Sequence, residues 1–119
     1  MKIIIQTSVG ELLDKITILQ IKSEHSSNEF ILKELNDLTE IAKSHQVYLS
    51  EYLHHLKEVN QKLWKIEDDL RELEKIKHFS SHFIELARSV YQTNDERARI
   101  KKEINELTNS SYKEIKIHK

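Results

Sequence analysis

Four stretches of the chain repeat apolar residues at gaps of three and four, the spacing that keeps one face of an α-helix out of water. The longest runs Leu49, Tyr52, Leu56, Val59, Leu63, Ile66, Leu70 and Leu73 without a break. It predicts a helix over residues 50–77, roughly 40 Å long at about 1.5 Å per residue, with one seam for a partner helix as in coiled coils. A small globule cannot cover such a rod on every side. Leu12, Leu13, Ile16 and Leu19 predict a first helix over residues 9–24, opened by a capping box of Ser8 with Glu11 three residues on. Ser26 and Glu29 repeat that box before Phe30, Ile31, Leu35, Leu38 and Ile41, which predict a second helix ending at 44–46. Phe83, Ala87, Val90 and Ile104 mark a fourth, capped by Ser80 or Ser81, continuous through 93–96 and ending near Thr108 and Asn109.

The two ends read differently. Lys2 to Gln6 is a β-branched run, and Tyr112 to Lys119 alternates Ile115 and Ile117 with charges, so each predicts a short strand. Lone strands leave backbone groups unpaired, so these two are expected to pair with each other or with a symmetry mate. The expectation is one all-α domain over 1–119: an antiparallel helical bundle with a long helical hairpin and short terminal strands.

Composition supports long helices, since the 119 residues include no Pro and one Gly. A net charge of −1 lacks the basic surplus of a nucleic-acid binder. With no Cys, disulfides, thiolate metal sites and thiol nucleophiles are excluded. The longest apolar run near the N-terminus is three residues, too short for a signal peptide, and no stretch approaches the roughly 20 apolar residues of a membrane span. No membrane contact and a cytoplasmic location are therefore expected.

Candidate chemistry follows from the fold-back expected at residues 77–81, which brings positions whose numbers sum to roughly 159 to one height. Arg88 then lies level with Arg71 and within reach of Glu67 and Glu74, Tyr91 beside Asp68, Asp95 beside Trp64, and Arg97 near Asn60 or Leu63. Between Val90 and Ile104 the inward seam is polar: Asn94, Arg97 and Lys101. Burying such groups unpaired costs several kcal/mol, so they need carboxylates, water or a ligand. On the first helix, Lys15 and Lys22 border the core in the same way. Lys15, Lys22, Arg71, Arg88, Arg97 and Lys101 are thus candidates to hold a small anion, with Glu67, Asp68 or Asp95 orienting it and Asn60, Tyr91 and Asn94 beside it; arginine forks match carboxylates and phosphates in shape. The plainer reading is a solvated flank, because Glu67–Arg71 and Arg71–Glu74 are ordinary intrahelical neighbours worth about 0.2–0.5 kcal/mol each.

Other motifs carry less. His78 and His82 are four apart, but the turn expected between them spoils a shared face for a metal. Glu51 and His54 match the Glu-x-x-His of di-iron bundles without the second copy such sites need. Ser8-Val9-Gly10 at a helix start is explained by capping as well as by anion binding, and Trp64 reads more readily as a core anchor than as a stacking platform. No phosphate-loop, nucleophile-elbow or dinucleotide pattern occurs.

Three segments, SVGELLDKITILQIKSE (8–24), VNQKLWKIEDDLRELEK (59–75) and FIELARSVYQTNDERARIKKEIN (83–105), resemble the DUF6165 family of uncharacterised bacterial and phage proteins. The resemblance covers about half the chain. It implies no reaction, but draws attention to Glu11, Asp14, Lys15, Lys22, Asn60, Trp64, Glu67, Asp68, Arg71, Arg88, Tyr91, Asn94, Asp95, Arg97, Lys101 and Asn105. Ser110-Ser111-Tyr112-Lys113-Glu114 departs from the family's acidic-Lys-Ser-Tyr ending.

The functional expectation is a homodimeric helical protein binding a small anionic metabolite in a polar pocket between the first, third and fourth helices. Chorismate-mutase-like helical dimers, which grip carboxylates with Arg and Lys, are a fold-level analogy only. One rival is a non-catalytic adaptor using the long seam. Another is a helical nucleotide-processing enzyme holding magnesium through Glu67, Asp68 and Asp95.

Overall fold

A computed structural model describes residues 1–118 and contains four α-helices packed against one another: α1 (Val9–His25), α2 (Glu29–Ser44), α3 (Ser50–Lys75) and α4 (Ser81–Leu107). Ser8 caps α1 by accepting from the Glu11 amide at 3.0 Å. Asn28, rather than Ser26, caps α2, its side chain accepting from the Phe30 amide at 2.8 Å. The helix α4 runs unbroken through residues 93–96.

Three helices end alike without glycine. Gln46, Lys77 and Asn109 each take a positive φ, between 51° and 59°. The next amide reaches back to the carbonyl five residues before it: Val47 to Ala42, His78 to Leu73 and Ser110 to Asn105, each at 2.9 Å. This Schellman closure satisfies carbonyls that the helix end leaves free.

Helix α1 is the hub. It packs against α2, α3 and α4, α3 also packs against α4, and α2 meets only α1. Contact positions give the directions. Residues 11 and 14 of α1 meet 101 and 97 of α4, and residues 14 and 17 meet 60 of α3, so α1 runs against α4. Residues 60–71 of α3 face 90–97 of α4, and 52–59 face 96–103, which is the fold-back expected at residues 77–81. The apolar core gathers Leu13 and Ile16 of α1, Ala42 of α2, Leu53, Leu56 and Val59 of α3, and Ile100 and Ile104 of α4.

Two expectations need correction. Phe30 and Ile41 are exposed, because α2 turns Ile31, Leu35, Leu38 and Ala42 toward α1 and has no other helix to cover its far side. The terminal strands are absent: among the described residues there is no strand, and residues 1–7 and 111–118 make no backbone–backbone hydrogen bond. The two ends do lie side by side, through the Val9 amide donating to Ser110 Oγ at 3.2 Å and the Tyr112 hydroxyl donating to Gln6. Side chains hold them there, so the ladder a strand needs is not made. Lys119 lies outside the described residues.

Candidate functional site

The polar residues of the α4 seam meet a carboxylate that the helix spacing places opposite them. On α1, Gly10, Asp14, Thr17 and Ile21 stand at gaps of four, three and four, and all four are buried. Asp14, only 2% exposed, receives Arg97 Nε on Oδ1 at 2.9 Å and Arg97 Nη2 on Oδ2, a bidentate pair. Asn60 Nδ2 donates to the same Oδ1 and to Thr17 Oγ1, both at 2.9 Å. The Thr17 hydroxyl in turn donates to the Asp14 carbonyl at 2.7 Å. Hydrogen bonding to Asp14 raises the Arg97 guanidinium above its ordinary pKa, with burial opposing and the charges of Asp14, Glu11 and Glu114 adding to the rise. Its charge is therefore secure at every physiological pH, and the sign is that of a cation whose stabilising contribution is lost only in strong alkali.

Lys101, one turn on, has a side chain only 8% exposed and enclosed by carboxylates. It pairs with Glu11, lies 3.4 Å from Glu114 and 4.0 Å from Asp14. Beyond it the two helices almost touch. A Cβ on Gly10 would sit 2.8 Å from the Lys101 carbonyl oxygen and 3.0 Å from Asn105 Oδ1, and Asn105 Oδ1 accepts from the Gly10 amide at 2.7 Å. Asn105 Nδ2 is the one buried side-chain polar atom without a partner among the described residues.

Where this network reaches the surface, α1, α3 and α4 frame a cleft of about 560 Å³. Ile18, Ile21, Leu63 and Val90 supply apolar wall, and Trp64 joins them with its ring stacked on His25 at 4.5 Å between centroids. Asn60, Asn94, Glu67, Asp68, Arg71 and Arg97 supply the polar groups. The Arg97 side chain is 27% exposed, and its Nη1 makes no hydrogen bond to a described residue, since Asp14 engages only Nε and Nη2. Arg71 is held by Glu67 through a single 3.3 Å contact.

Six of the candidate residues, Asn60, Glu67, Asp68, Arg71, Asn94 and Arg97, therefore line one cleft. The other six do not. Lys101 is locked in the carboxylate cluster, and Lys15 pairs with Glu34 of α2 at 3.0 Å. Asp95 pairs with Lys116 of the C-terminal segment at 2.8 Å. Lys22, Arg88 and Tyr91 are exposed. The expected Arg88–Glu67 contact is not formed; Arg88 falls on the outer side of α4, and Glu67 is taken up by its own helix neighbour Arg71. With Asp95 turned toward Lys116, Glu67, Asp68 and Asp95 do not assemble a magnesium site, and no three His, Asp or Glu side chains among the described residues converge to hold a metal.

A family model described as a family of unknown function, DUF6165, matches residues 1–118. The chain belongs to the DUF6165 family. The match extends beyond the three resembling segments to both extended ends, the reordered tail included. No curated protein and no solved structure matches this DUF6165 chain. Among its described residues, no helix is long and apolar enough to cross a membrane.

Asp14 and Thr17, the centre of the network, were not among the residues that seam spacing alone singled out as candidates. Their signal was available: the stripe Gly10, Asp14, Thr17, Ile21 runs beside Leu13 and Ile16, so Asp14 had to face inward and find a cation.

Proposed function

We propose that this DUF6165 protein binds a small organic ligand with an anionic group in the cleft between α1, α3 and α4. One observation carries the reading: a buried carboxylate, Asp14, fixes Arg97 at the cleft wall while leaving Nη1 unengaged by any described residue. A guanidinium immobilised in this way loses little freedom on meeting a carboxylate or phosphate, the kind of preorganisation that favours binding. Arg71, weakly held by Glu67, supplies a second fork at the rim.

The remaining groups narrow the class. Glu67 and Asp68 balance the two arginines, so a bare polyanion is a poor match. A ligand that also carries hydroxyl or ammonium donors fits better, with its apolar part against Trp64, Ile18 and Leu63. The volume lies within the range of small-molecule sites, about 300–1,000 Å³. Among the described residues that line the cleft, Glu67 and Asp68 are the groups that could move a proton.

A thermal-shift panel of carboxylates and phosphate esters, with hydroxyl- and amino-bearing members, tests this. At a hundredfold excess over Kd a ligand that binds only the folded state adds about 2.7 kcal/mol, a readable rise in Tm. Arg71→Ala should abolish the shift, and Arg88→Ala should leave it intact. Silence across the panel, or equal loss in both variants, would contradict the proposal.

The adaptor reading rests on the long α3 seam, and that seam is occupied by the chain itself, with Leu53, Leu56, Val59 and Ile66 buried in the bundle. Phe30 and Ile41 on one flank of α2 are exposed apolar residues left to it.

A further inference from the structure

The two ends of the chain carry exposed apolar side chains on backbone that makes no backbone–backbone hydrogen bond among the described residues. Ile3, Ile4 and Ile5 are 76%, 89% and 77% exposed, and Ile115 and Ile117 are 73% and 78% exposed. The C-terminal segment is not loose in this arrangement: alternate side chains tie it to the body. Ser110 accepts from the Val9 amide, Tyr112 donates to Gln6, Glu114 pairs with Lys101, and Lys116 pairs with Asp95. With even-numbered polar residues holding the helices, the period of two turns Ile115 and Ile117 outward. An extended segment presenting its apolar row and its unpaired N–H and C=O groups to solvent is an edge ready for strand addition.

We infer that this segment is a self-association edge, and that its occupant is the same segment of a second copy, paired antiparallel about Ile115. Sequence symmetry selects that occupant. In this register residue 115 faces its twin, 113 faces 117, and Glu114 of each chain stands opposite Lys116 of the other. Opposite charges directly across a strand pair are stabilising, whereas a like-charged register is not. Because Glu114 and Lys116 already meet Lys101 and Asp95, the pairing extends two existing ion pairs into a continuous alternating row. Ile3 to Ile5, alongside through Gln6 and Tyr112, supply further apolar surface to cover the outward isoleucines. The inference is independent of any ligand in the cleft.

The natural chain has no cysteine, so Ile115→Cys reads the register directly. Under mild oxidation it should cross-link to a dimer much faster than Phe30→Cys, placed on the exposed face of α2. Light scattering on the full chain should give a dimer for the wild type and for Phe30→Lys. The double variant Ile115→Lys, Ile117→Lys should be monomeric with unchanged helical circular dichroism. A wild type that stays monomeric at every concentration overturns the inference. So does a dimer that survives both lysines, or equal cross-linking at 115 and 30, since each places the contact elsewhere.

Discussion

Asp14 decides what the centre of the molecule is. A carboxylate 2% exposed would be strongly destabilising alone, and it is tolerated because Arg97, Asn60 and nearby Lys101 surround it. Removing one partner of a buried pair leaves the other uncompensated, so Asp14→Ala should cost about 3–5 kcal/mol in urea unfolding. Glu67→Ala, which breaks an exposed pair on α3, should cost less than about 0.5 kcal/mol. Similar losses for the two variants would mean that Asp14 is not the keystone described. Gly10→Ala gives a test of opposite sign to helix propensity. Alanine is worth about 1 kcal/mol over glycine within a helix, yet here its Cβ would meet the Lys101 carbonyl at 2.8 Å. A net loss of about 1–3 kcal/mol is expected, and a gain would show that α1 and α4 can separate freely.

At the scale of elements, the three glycine-free caps store a local cost. A non-glycine residue in the left-handed region is unfavourable by about 1–2 kcal/mol, and Gln46, Lys77 and Asn109 all stand there. Lys77→Gly should therefore stabilise by about 1 kcal/mol, raising Tm by roughly 4 °C; the thermal melt of that variant checks it, and a fall in Tm would mean that Lys77 contributes more through its 3.0 Å contact with Glu74 than its backbone loses. All four helices were legible in the sequence because long amphipathic periodicity leaves few alternatives. Arg97 and Lys101 were legible as inward polar positions for the same reason. The outward turn of Arg88 was legible by the same spacing, since nine residues before Arg97 is half a turn round the helix, and register sets only its height beside Glu67. The ends differ from the expected strands because alternation of Ile with charge signals an extended segment without saying whether a neighbour completes the ladder. Here the spacing of Glu114 and Lys116 was satisfied by ion pairs to α4 instead.

Over the whole molecule, one polar row runs from the C-terminal segment through Glu114, Lys101, Asp14 and Arg97 into the cleft. Stability and the proposed recognition thus share a residue, for Arg97 neutralises Asp14 on one side and lines the cleft on the other. Arg71 belongs only to the cleft, which makes it the variant that separates binding from folding. Trp64, the sole tryptophan, is part of the same wall, so its fluorescence reports occupancy without a label. Titrating an anionic compound selected by thermal shift into the wild type, Arg71→Ala and Arg88→Ala is the most direct measurement. A saturable change in Trp64 emission is predicted for the wild type and for Arg88→Ala and its loss for Arg71→Ala, whereas stabilising compounds that leave Trp64 emission unchanged in all three would contradict a site in this cleft.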